Sequence, residues 1–147
     1  MRRLRLATAS CAVASSAVVA LVTVASGSAA PPSGTLHLTS KTLVQTVPTG
    51  QPKPGDRFVF YDRESGGDRG HDYTVCVVTG PKGKTLCDTL FVLQHGDISV
   101  QGAGSFTPSA HFTGLILAGT GRYAGARGSA VVSGSAAVTR FTLRFGS

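Results

Sequence analysis

The chain has 147 residues, fourteen Lys and Arg against seven acids, and no Trp. That length buries one core and is too short for two domains. Its formal charge of +7 comes from basic residues scattered along the chain rather than clustered among aromatics. Solubility accounts for such a pattern, and nucleic-acid binding is set aside.

The first thirty residues read as an export signal. Arg2, Arg3 and Arg5 form a positive start, and Cys11 to Val24 is an apolar run too short to span a bilayer comfortably. Small residues from Ala25 to Ala30 supply the cleavage zone, and Pro31 disfavours a cut after Ala30, which places cleavage near Ala29. Cys11 is preceded by Thr8, Ala9 and Ser10, with no Leu three residues before it, so a lipid anchor is not expected. The expected product is secreted and carries no membrane anchor. Its eleven remaining basic residues against seven acids leave a charge of +4.

Residues 31–147 alternate in twos, with Val, Thr and Phe recurring between clusters of Gly, Pro, Asp and Ser. This pattern predicts an all-β domain with strands at Thr35–Val47, Arg57–Asp62, His71–Thr79, Thr85–Gln94, Ile98–Gly104, Ala110–Ala118, Gly128–Ser133 and Ala136–Phe145. Three prolines forbid a central strand in 48–55, and the charged, glycine-rich stretch 65–70 reads as a loop. In the last strand Ala137, Thr139, Phe141, Leu143 and Phe145 share the core face, while Val138, Arg140, Thr142 and Arg144 face water. Eight strands with short connections favour an antiparallel β-barrel, which has no exposed edges and can hold one small ligand.

Beyond the leader only Cys76 and Cys87 remain, an even count suited to an oxidising compartment. A tight hairpin centred on Pro81-Lys82, with Gly80 opposite Gly83, puts the two cysteines directly across from each other. A cross-strand disulfide follows. The same register sets His71, Tyr73, Val75 and Val77 on one face with Leu86, Asp88, Leu90 and Val92. If that face lines the lumen, Asp88 is a general acid or base with His71 beside it, and Tyr73 stabilises a developing oxyanion. The opposite face carries Asp72, Thr74, Cys76, Val78, Thr89, Phe91 and Leu93. It can equally be the inner one, which leaves Asp88 and His71 solvated outside.

No G-x-S-x-G elbow or H-E-x-x-H helix occurs, and the four histidines lie on separate elements without ligand spacing. Neither a metal nor another cofactor is expected. The run Gly119-Thr120-Gly121-Arg122-Tyr123-Ala124-Gly125-Ala126-Arg127-Gly128 reads as a structural turn. Its glycines suit close backbone approach, and Tyr123 and Ala126 can cap a barrel end.

This run resembles the glycine-rich signature G-T-G-x-[FY]-x-x-A-x-G of the allene oxide cyclase and dirigent barrels, including their secreted actinobacterial branch. Gly55-Asp56-Arg57-Phe58-Val59-Phe60, the two cysteines and His95-Gly96-Asp97-Ile98 fall in the family's order. The resemblance implies an eight-stranded antiparallel β-barrel of the allene oxide cyclase/dirigent type, with a hydrophobic cavity and assembly as a homotrimer. Asp62 lies near an acid of the dirigent pattern and is the second acidic candidate, a turn-capping role being the alternative. The chain departs from the family in having no Asn, a single Glu at Glu64, and Gly70-His71 where dirigent proteins carry Gly-Arg. The expected function is binding of a small hydrophobic molecule, with cofactor-free isomerisation or cyclisation. A non-catalytic carrier and a structural barrel without ligand are the alternatives.

Overall fold

The structure, a computed structural model, describes residues 32–105, 110–135 and 138–146. The expected export signal and its cleavage site lie outside them, as do residues 136 and 137 of the last predicted strand.

Eight strands follow one another around a closed antiparallel barrel: β1 (Gly34–Thr46), β2 (Arg57–Gly66), β3 (Gly70–Val78), β4 (Lys84–Leu93), β5 (Gly96–Ser105), β6 (Ala110–Gly119), β7 (Gly128–Gly134) and β8 (Val138–Phe145). Each pairs with its neighbour in sequence, and β8 returns to β1, so no strand edge is left open. The expected eight-stranded barrel is therefore present. Two elements differ from expectation. β2 does not stop at Asp62 but continues through Arg63, Glu64 and Ser65 to Gly66, and 67–69 alone form the turn into β3. The charges and glycines of this stretch mimic a loop, yet the register Glu64↔Gly70 keeps it in the ladder.

Inner and outer positions alternate along each strand. At one end, Leu36, Leu38, Phe91, Leu93, Ile98, Ile116, Phe141 and Leu143 fill the barrel completely. The short 3₁₀ turn Gly121–Tyr123 caps this end, inserting buried Tyr123 and Ala126. The β4–β5 turn and the cap meet at two glycines. Gly96 has φ +139° and Gly121 φ +55°, and a Cβ on either would collide with the backbone of the other turn. Thus Gly119, Thr120, Gly121, Tyr123, Ala126 and Gly128 lie along the capping turn and its entry to β7. Thr120 joins in by accepting the Asp97 N–H on its hydroxyl at 2.9 Å.

At the other end a second apolar group, Phe58, Cys76, Val78, Cys87 and Phe112, lines the wall without filling the centre. A register shift between Thr42 and Val44 inserts one extra residue into β1. This bulge brings Gln45 and Val47 back to the lumen after Thr42.

Candidate functional site

The hairpin register expected from sequence is the register found: Cys76 faces Cys87, Val75 faces Asp88, and the two cysteines form a disulfide. Both lie on the inner surface, and this decides which face of the hairpin is which. Asp72, Cys76, Val78, Thr89, Phe91 and Leu93 point inward and are buried, whereas Tyr73, Val75, Leu86, Asp88, Leu90 and Val92 are exposed.

The structure consequently does not bring Asp88, Tyr73 and His71 to the lumen. Asp88 accepts a hydrogen bond from the Gln101 amide on the outside at 2.8 Å. Tyr73 is half exposed and packs on Tyr61, which stacks on His71 with ring centroids 5.0 Å apart. This outer aromatic row corrects the idea of a lumenal acid, His and Tyr on β3 and β4. The alternation was legible in the sequence, which left open which of the two faces is the inner one. The outward face is the more apolar one here, although it carries Asp88, and the inward face carries the buried Asp72.

The lumen contains a cavity of about 430 Å³, within the range of small-molecule sites. Phe58, Phe60, Phe112, Val132 and Phe141 supply its apolar wall, and Thr42, Thr74, Thr89 and Asp62 supply a polar one. Asp62, the second candidate from sequence, is 6% exposed, and its Oδ1 has no hydrogen-bond partner among the described residues. Burial is the main reason its pKa is raised to about 6, with the neighbouring Asp72 charge adding to the shift and a Thr42 hydrogen bond opposing it.

Two further acids lie deeper. Glu64 is two residues beyond Asp62 on the same face of β2, and Asp72 is Asp62's direct partner across β3. Both are almost fully buried. The Ser40 hydroxyl of β1 donates to Glu64 Oε1 and also lies 3.2 Å from Asp72 Oδ2, while Thr74 donates to Asp72 Oδ1 at 3.2 Å and meets the Thr89 hydroxyl at 2.8 Å. Burial raises the pKa of Asp72 and of Glu64. Asp72 is raised further by its hydrogen bond to Glu64 and by that residue's charge, so the pair holds a proton on the Asp72 side. Sequence reasoning missed Glu64 and Asp72 as members of the site. The signal that could have found them was parity: Phe58, Phe60, Asp62 and Glu64 alternate on one face of β2, and the cysteines share theirs with Asp72.

A separate polar cluster ties the capped end. The Tyr123 hydroxyl donates to Asp68 Oδ2 at 2.7 Å, the Arg69 N–H donates to Asp68 Oδ1 at 2.7 Å, and His95 Nδ1 lies 3.0 Å from that same oxygen. Burial alone would raise the Asp68 pKa, but these bonds outweigh it and lower the value. Among the described residues no group of three His, Cys, Asp or Glu side chains is placed to hold a metal ion.

Fold and cavity together define a closed eight-stranded barrel whose lumen has the size of a small-molecule site. No family model and no curated protein matches the sequence. Among solved structures, a pyocyanin demethylase matches with a TM-score of 0.67 and 30% sequence identity, over 76% of this chain and 99% of that one. The chain belongs to the same barrel family as that pyocyanin demethylase.

Proposed function

We propose that the barrel binds one small, mainly apolar aromatic molecule in its lumen and performs cofactor-free acid–base chemistry on it through Asp62. The observation that carries this reading is the buried Asp62, its Oδ1 without a partner among the described residues, in the wall of a mainly apolar cavity. A buried polar atom without a partner costs about 1–3 kcal/mol, so the enclosed carboxyl holds its proton to higher pH than a solvated one. A carboxyl with a pKa of about 6 both gives and takes a proton near neutral pH. The relative's name supports a compact aromatic ligand, and the glycine-rich signature supports kinship with the allene oxide cyclase and dirigent barrels. Isomerisation or cyclisation fits such a site because each is redox-neutral and internal to the substrate, its bond made and its bond broken lying in one molecule, with a proton given and taken back by the carboxyl. Export through the leader accords with the disulfide. Assembly as a homotrimer accords with the apolar outer residues Tyr73, Val75, Leu90, Val92 and Leu115.

The test is native mass spectrometry of the purified protein after incubation with pyocyanin and, separately, with a lipophilic extract of the producing organism. One small molecule retained per barrel is expected, and Val132→Phe, which fills the lumen, should abolish retention. A barrel that stays empty under both conditions contradicts the reading.

A further inference from the structure

We propose that the lumen selects its ligand by charge, with Asp62 as counter-ion to a cationic nitrogen on a flat aromatic ligand, while carboxylates, sulfates and phosphates are turned away. The inference rests on the binding role assigned above to the same cavity.

Three observations lead to it. First, Asp62 is enclosed and lines the cavity, and its buried Oδ1 has no hydrogen-bond partner among the described residues, so its carboxylate charge is only partly compensated by the protein. Second, no Lys, Arg or His is among the described residues lining the cavity. The charged and titratable neighbours of Asp62 are themselves acids, Glu64 on β2 and Asp72 on β3, held together through Ser40 of β1. Even with Asp72 keeping its proton, the negative charge shared with Glu64 stands behind Asp62 and reinforces its field. In a poorly solvated lumen that field is weakly screened, so an anion meets a repulsion that bulk water would suppress. Third, the wall around the acid is aromatic. Phe58, Phe60, Phe112 and Phe141 line the same cavity, and ring faces attract a cation while giving a flat ligand apolar contact. An acid at one side of an aromatic box is the chemistry that recognises a protonated heteroaromatic nitrogen or an aryl amine. A neutral aromatic gains the contact without the ion pair, and an anion gains contact against the field.

Proflavine, acridone and anthracene carboxylate are three-ring, fluorescent probes that are respectively cationic, neutral and anionic at neutral pH. Their binding to the full protein can be followed by fluorescence polarisation at low salt. Proflavine is expected to bind about tenfold or more tightly than acridone, since a charge-assisted bond adds about 1.5–3 kcal/mol. Anthracene carboxylate should bind more weakly than either. Asp62→Asn should remove most of the proflavine advantage and leave acridone within about twofold, and Glu64→Gln should reduce the advantage partially. Equal affinities for the three probes, or a proflavine preference intact in both variants, overturns charge selection while leaving the binding cavity standing. If none of the three binds, the binding role and the inference fall together. Unchanged circular dichroism of both variants confirms that affinity, and not folding, is being read.

Discussion

The acids inside the barrel titrate in opposite senses according to their partners. Asp62 is pushed up to about 6 by burial, so its folded pKa exceeds its unfolded one. Its contribution to stability is therefore fully present below about pH 4 and is lost as pH rises through about 6. Asp72 and Glu64 are raised too, which extends the loss toward higher pH. Asp62→Asn is expected to stabilise the protein by about 1–2 kcal/mol at pH 8 and to have little effect at pH 4, measured by thermal melts across that range. Asp68 behaves oppositely. Its lowered pKa gives a contribution present above its unfolded pKa and lost as pH falls through the folded value. Tyr123→Phe removes the buried hydroxyl that Asp68 accepts. It should cost about 2 kcal/mol at neutral pH and progressively less in acid, as Asp68 becomes protonated.

Between neighbouring elements, two devices hold the barrel in register. The disulfide ties β3 to β4 across a sequence separation of 11 residues. Replacing both cysteines with alanine should lower the unfolding free energy by about 2–3 kcal/mol in urea titrations, while the fold persists because the eight-strand ladder is intact. At the capped end, Gly96 and Gly121 let the β4–β5 turn and the 3₁₀ cap touch through their backbones. Gly96→Ala should cost more than about 2 kcal/mol, because it combines a positive-φ penalty with a collision against Thr120. Most strands were legible because the period of two is local and their turns carry Gly and Pro. The Cys76–Cys87 register was legible for the same reason, the turn alone being enough to set it. The last four residues of β2 were not, since Arg63, Glu64, Ser65 and Gly66 read locally as a loop and only pairing with β1 and β3 makes them a strand.

For the whole molecule, the barrel is more polar inside, at mid-height, than a simple core would be, and more apolar outside. Ser40, Asp62, Glu64, Asp72, Thr74 and Thr89 face inward, while Tyr73, Val75, Leu86, Leu90 and Leu115 face outward. Strand alternation identifies two faces but not which one is enclosed. That assignment needs the global closure, and here apolarity points the wrong way. The candidate site was thus legible only in Asp62, which was singled out from a family pattern. If the outer apolar face is covered by copies of the chain, Leu90→Asp should shift sedimentation toward the monomer and leave ligand retention in the lumen in place.

The chemistry proposed for the lumen depends on Asp62 as its ionisable group. A ¹³C carboxyl NMR titration of the purified protein, with and without proflavine, tests this most directly. The expected result is an Asp62 resonance with a midpoint near 6, moved more by the ligand than any other carboxyl, while Asp88 is unaffected. An Asp62 midpoint in the ordinary carboxylate range, together with ligand-induced shifts at Asp88 instead, would contradict it and return the site to the outer face of β3 and β4.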